Sequence, residues 1–248
     1  MNAASGIAMS IQGVVLKFAN SINTAVRPQI IKYYAQNNFK QMESLINNSS
    51  KITLLIMILI VVPLAGEIDY VFHLWLVDVP PFATTFCIFT LLFNLFANTS
   101  FLVNTGNHAA GKIIRPSVIN GSLYLLVIPM TYVAFKFGCA VWVPYLFNLI
   151  AVFFGLLSNA YSLHKNVPSY SVFSFINQLL VPSVIVFLLG TFVILLVKKW
   201  IEPSFGRLIV STILSVASMS IFAWFVVLPY SLKTNIINRF KKIICKKV

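Results

Sequence analysis

Gly6, Ser10, Gly13, Lys17, Asn20, Thr24 and Arg27 recur at alternating intervals of four and three residues. At 3.6 residues per turn this spacing puts them on one face of a helix, with Gln12 and Asn23 widening the polar sector. The residues between them are apolar, so the Lys17 ammonium would lie inside a hydrophobic segment. A cation there costs ~3 kcal/mol or more against lipid and belongs against protein or a water-filled cavity. Two readings stay open. The stripe is a cationic lining that receives an anionic group such as a phosphate, or Lys17 snorkels while the small residues allow close helix packing. A second set, Thr90, Asn94, Asn98 and Thr105 with Asn104 beside them, makes a ladder of amides and hydroxyls. Amides both donate and accept, which suits sugar hydroxyls. They also tie helices together at about 0.6–2 kcal/mol per bond. His108 reads as an interfacial cap rather than a proton relay.

The elements that carry these residues follow from composition. Of 248 residues, 59% are hydrophobic and 9% charged, with a mean hydropathy of +0.90. A water-facing surface needs roughly a quarter charged residues, so a soluble enzyme and a disordered chain are both excluded. Seven apolar runs are long enough to span a bilayer. They are Ala3–Val26, Ile52–Leu76, Phe82–Val103, Val118–Phe137, Ala140–Ser162, Phe175–Val197 and Leu208–Leu228. Barrel strands would alternate in polarity, so the fold class is all-α, a polytopic helical bundle. Glu67 and Asp69 break the outer end of the second run into a re-entrant or interfacial turn. Pro63, Pro129, Pro144 and Pro182 fall within spans and predict kinks.

The formal charge of +13 would suggest nucleic acid in a soluble protein. Here the cations sit between apolar runs, so nucleic-acid binding is not expected. One side of the membrane collects Arg27, Lys32, Lys40, Lys51, Lys112, Arg115, Lys165 and the basic tail. The other holds Lys136, Lys198, Lys199 and Arg207. The positive-inside rule places the C-terminus in the cytoplasm. Residues 29–50 and the tail look amphipathic and fit the membrane interface. The chain divides into a transmembrane domain, 1–232, and a basic cytoplasmic tail, 233–248. Cys87, Cys139 and Cys245 show no CxxC or Cys/His spacing, so no metal site or disulfide framework follows. No nucleophile–base pair or phosphate loop is present, and no cofactor is implied.

Four stretches resemble the oligosaccharide-unit flippases of the multidrug/oligosaccharidyl-lipid/polysaccharide exporter superfamily. They are Asn23–Ala35 with its Pro-Gln-Ile segment, the linker Gln41–Lys51, the Trp-Leu…Val-Pro turn within Glu67–Pro80, and Asn104-Thr-Gly106 through Lys112. The resemblance implies one lobe of a two-lobed transporter that moves undecaprenyl-pyrophosphate-linked repeat units across the bacterial inner membrane for polysaccharide or lipopolysaccharide synthesis. It implies alternating access driven by a cation gradient. Partners would be the lipid-linked oligosaccharide, membrane lipid, a glycan polymerase, a chain-length regulator and the N-terminal lobe. The cavity cations map onto Lys17 and Arg27, with Lys112 and Arg115 at the cytoplasmic mouth and Gln12, Asn20, Asn94 and Asn98 as polar lining. An odd number of spans and the absence of a basic leader predict the C-terminal part of a longer transporter, its C-terminal lobe plus two extra spans, with Met1 a truncated or misassigned start. The alternatives are a natural seven-span protein with its N-terminus outside, a drug/cation antiporter of the same superfamily, a glycan polymerase or ligase, and an inactive fragment.

Overall fold

The computed structural model describes residues 2–228 and 233–234. The chain order is α1 (Asn2–Ala35), α2 (Phe39–Gly66), α3 (Ile68–Trp75), α4 (Ala83–Ala109), α5 (Ile114–Lys136), α6 (Val143–Asn166) and a short α7 (Val172–Phe175). A π segment, Ile176–Leu180, leads into α8 (Val181–Trp200), and α9 (Phe205–Phe222) ends in a second π segment, Ala223–Val227. No strand occurs among the described residues. The all-α expectation therefore stands, and nearly all of the basic tail lies outside the described residues.

Six helical stretches are long and apolar enough to cross a membrane: Phe39–Gly66, Ala83–Ala109, Ile114–Lys136, Val143–Asn166, Val172–Trp200 and Phe205–Val227. The expected first span is a helix too, and longer than predicted at 34 residues. Its polar stripe keeps it less hydrophobic than the other six.

α2 is the centre of the bundle and packs on α1, α4, α8 and α9. Met57, Ile58, Val61 and Val62 fill the middle, against Leu91, Leu95 and Leu102 of α4. α5 packs on α6, and only Pro116 and Ala134 of its residues are buried. Where α2, α4 and α6 meet, Gly106 has no room for a side chain. A Cβ there would lie 2.9 Å from a Leu163 methyl and 3.0 Å from that of Ile46. Gly106→Val is expected to cost about 1–3 kcal/mol as the helices are forced apart. Gly121→Ala, on open surface of α5, should not lower stability. Thermal melts of the two variants in one detergent check this contrast.

Two expectations are refined. Residues 29–50 are not a separate amphipathic segment. They form the last turns of α1, a turn, and the first turns of α2. Ile30, Met42 and Ile46 are fully buried, because the apolar stripe is satisfied inside the bundle. Of the four prolines, Pro63 and Pro129 lie inside helices. Pro144 instead sits in the first turn of α6, where a missing N–H costs little, while Pro182 falls inside the continuous helical stretch Val172–Trp200, as expected. Pro182 directly follows a π segment, the register change that a helix makes when its ladder loses a donor.

Because successive spans alternate in direction, one end of the bundle gathers Arg27, Lys32, Lys40, Lys112, Arg115 and Lys165. Lys136, Lys198, Lys199 and Arg207 gather at the other. The break after α2 falls where the acidic pair was expected to put it, at Glu67, with α3 continuing from Ile68.

Candidate functional site

The residues expected to line one cavity fall into three separate places. The first is the outer face of α1. Gly6, Ser10, Gly13, Lys17, Asn20, Thr24 and Arg27 are all exposed, while Ala4, Ala8, Ile11, Val15 and Ala19 on the opposite face are buried. Helix periodicity therefore delivers one stripe to the core and a polar stripe to the outside. Ser10 and Ser21 spend their hydroxyls on the carbonyls of Gly6 and Lys17. No carboxylate pairs with Lys17 or Arg27 among the described residues. The result is an open cationic strip with Asn20 between its two charges.

The second place is the seam between α1 and α4. The Gln12 side-chain amide donates to Asn94 Oδ1 at 3.2 Å, and Asn23 Nδ2 lies 3.5 Å from Asn98 Oδ1. Asn94 and Asn98 also donate to the carbonyls of Thr90 and Asn94, and both are buried. These amides tie two helices together, and the sequence had left that reading open beside the sugar-binding one.

The third place is the start of α5. Lys112 and Arg115 border a groove of about 490 Å³ with Gly111, Ile114, Val118 and Asn166. The Arg115 guanidinium lies 4.8 Å from the Tyr161 ring centroid, and Lys165 Nζ lies 5.4 Å from the same ring. α5 packs chiefly on α6, and no residue lining this groove belongs to α1, so this pair is separate from the Lys17–Arg27 strip.

The structure also shows polar groups that sequence reasoning did not single out. Arg207 Nη2 donates to Glu67 Oε2 at 2.8 Å, with both side chains buried. Lys198 Nζ donates to the Gly66 carbonyl at 2.8 Å. Two cations from the α8–α9 region thus satisfy the broken end of α2, where free carbonyls favour positive charge. Lys51, counted with the loop cations, is buried inside α2 and reaches the Val227 carbonyl at 3.5 Å. Between α4, α5 and α6 lies an asparagine network. Asn159 Nδ2 donates to Ser100 Oγ at 2.7 Å, Asn120 Nδ2 to Asn159 Oδ1 at 3.0 Å, and Asn166 Nδ2 to Asn107 Oδ1 at 2.9 Å. In the α6–α7 turn, burial and the nearby Glu43 carboxylate push the Tyr170 phenol above its ordinary range.

An open cationic strip on a bundle of membrane-length helices suits a carrier more than a catalyst, and comparison with known families decides the class. The family model MatE matches residues 3–133, just over half of the chain. The chain belongs to the MatE family. MatE proteins are membrane transporters of the multidrug/oligosaccharidyl-lipid/polysaccharide exporter superfamily, not enzymes, so this chain is a multi-pass membrane transport protein. The glycan polymerase or ligase alternative falls with that assignment. The MatE match runs from α1 into α5 and contains Lys17, Arg27, Lys112 and Arg115, while Tyr161, Lys165 and Arg207 lie beyond it. No curated protein and no solved structure matches the chain.

Proposed function

We propose that this MatE chain is one lobe of a flippase for undecaprenyl-pyrophosphate-linked oligosaccharide repeat units. In this reading it works by alternating access in the bacterial inner membrane, with its C-terminus in the cytoplasm. The observation that carries the reading is the unpaired Lys17–Asn20–Arg27 strip on α1. Left against lipid, the Lys17 charge deep in the span would cost roughly 3 kcal/mol. A water-filled cavity closed by a second lobe removes that cost. A pyrophosphate entering the cavity finds two cations and an amide that can donate to it, while the polyprenyl chain stays in lipid. Lys112 and Arg115 face a different groove and are left out of this site. Gln12, Asn94 and Asn98 act one layer behind it by fixing α1 against α4.

The drug/cation antiporter is equally compatible with the family match. A cationic drug calls for a buried carboxylate free to bind it. The buried carboxylate among the described residues is Glu67, and Arg207 holds it. That contrast favours the anionic substrate.

The test is complementation of a strain that lacks its own repeat-unit flippase, with the second lobe supplied. Lys17→Ala/Arg27→Ala is expected to abolish surface glycan at equal protein level. Undiminished glycan would sink the cavity assignment. Resistance to cationic drugs without restored glycan would establish the antiporter, and neither activity would leave an inactive fragment.

A further inference from the structure

The groove at the start of α5 is lined by two cations that the flippase reading does not use, Lys112 and Arg115, and a third, Lys165, stands beside it over Tyr161. Lys112 and Arg115 come from the loop and first turn of α5, and Lys165 comes from the last turn of α6. Arg115 and Lys165 are both drawn to Tyr161, so they lie no farther apart than the sum of their distances to its ring, 4.8 and 5.4 Å. Like charges at that range repel, and none of the three has a carboxylate partner among the described residues. The groove is roomy at about 490 Å³, and the Asn166 side chain contributes a polar wall. Its remaining lining is apolar and points along the outside of the bundle. Ile114 is 78% exposed and Val118 61% exposed, and α5 beyond them turns nearly all of its surface outward. A ligand for this place therefore carries an anionic head and an apolar tail that can lie along α5.

We infer that Lys112, Arg115 and Lys165 form a binding site for the phosphate headgroup of an anionic membrane phospholipid. The acyl chains run beside Ile114 and Val118. Tyr161 holds two of the cations by cation–π contact, ready to receive the phosphate. The site is independent of the Lys17–Arg27 strip, so it holds whether or not the transported lipid is the one proposed above.

Native mass spectrometry of the purified full chain tests this with phosphatidylglycerol and phosphatidylcholine of identical acyl chains in competition. The wild-type chain is expected to retain phosphatidylglycerol preferentially. Arg115→Gln/Lys165→Gln should lower that preference about 30-fold, the loss expected for two interfacial cations. Arg115→Lys/Lys165→Arg keeps the charge and should preserve it. Lys32→Gln/Lys40→Gln removes the same charge from exposed positions at the same end and should leave the preference intact. Equal loss in the two Gln pairs would mean diffuse attraction to the surface and overturn the site, as would no preference in the wild-type chain. Displacement of the lipid by millimolar inorganic phosphate would make it a site for a soluble anion. Stronger displacement by undecaprenyl pyrophosphate would assign the three cations to the transported lipid. Either result overturns the inference.

Discussion

Arg207→Ala is expected to destabilise the bundle by about 3–5 kcal/mol, the largest loss from any single substitution considered. The reason is what it leaves behind. Arg207 and Glu67 are 6% and 1% exposed, and removing the guanidinium leaves a buried carboxylate without its charge partner. Part of the cost is already present, because Glu67 Oε1 and Arg207 Nε have no hydrogen-bond partner among the described residues. The pair is thus an imperfect one, and its replacement by well-packed apolar residues should be far milder than its breakage. Glu67→Leu/Arg207→Leu is expected within about 1–2 kcal/mol of wild type, or above it. Denaturation of the three proteins in mixed micelles checks the ordering. A double variant as unstable as Arg207→Ala would mean that the ion pair itself, rather than the orphaned charge, supports the α2–α9 contact.

Lys17→Gln should weaken binding of a soluble pyrophosphate-bearing analogue of the substrate to the assembled two-lobed transporter by about 10–150-fold, the range for losing one charge-assisted hydrogen bond. Glutamine keeps the length and a donor but not the charge. Lys17→Arg keeps the charge and should stay within a few-fold of wild type, because a pyrophosphate accepts from either cation. Lys17 is exposed and its ammonium has no hydrogen-bond or ion-pair partner among the described residues, so stability should hardly move in either variant. Isothermal calorimetry beside a melt separates the two effects. Equal affinities for wild type and Lys17→Gln would place the phosphate elsewhere.

Much of the architecture was legible because hydrophobicity along the chain reports directly on what lipid and core will accept. The spans, the break at Glu67 and the two-faced character of α1 all follow from that one variable. Boundaries moved outward because helices extend past the bilayer core into polar residues, as α1 does to Ala35 and α6 to Asn166. The polar residues were harder to place. Spacing shows which residues share a face of their own helix but not what that face meets. Gln12 and Asn20 were grouped together in sequence, yet one meets Asn94 and the other faces outward. Glu67 and Arg207 stand 140 residues apart, and nothing in either neighbourhood points to the other. Lys198 and Arg207 had been weighed as topology signals opposing the cytoplasmic excess. Their partners at the end of α2 give them a structural reason to stand on the sparse side.

The same separation sets a timetable for biogenesis. At ~5–20 residues per second, a ribosome needs roughly 7–28 s to make the 140 residues between Glu67 and Arg207. During that interval α2 is already in the membrane with its acidic end unneutralised. The contacts of α2 with α1 and α4 can form before then, but the pair that neutralises its end forms only once Arg207 has been made. A chain whose synthesis stops before residue 207 has no guanidinium to meet Glu67.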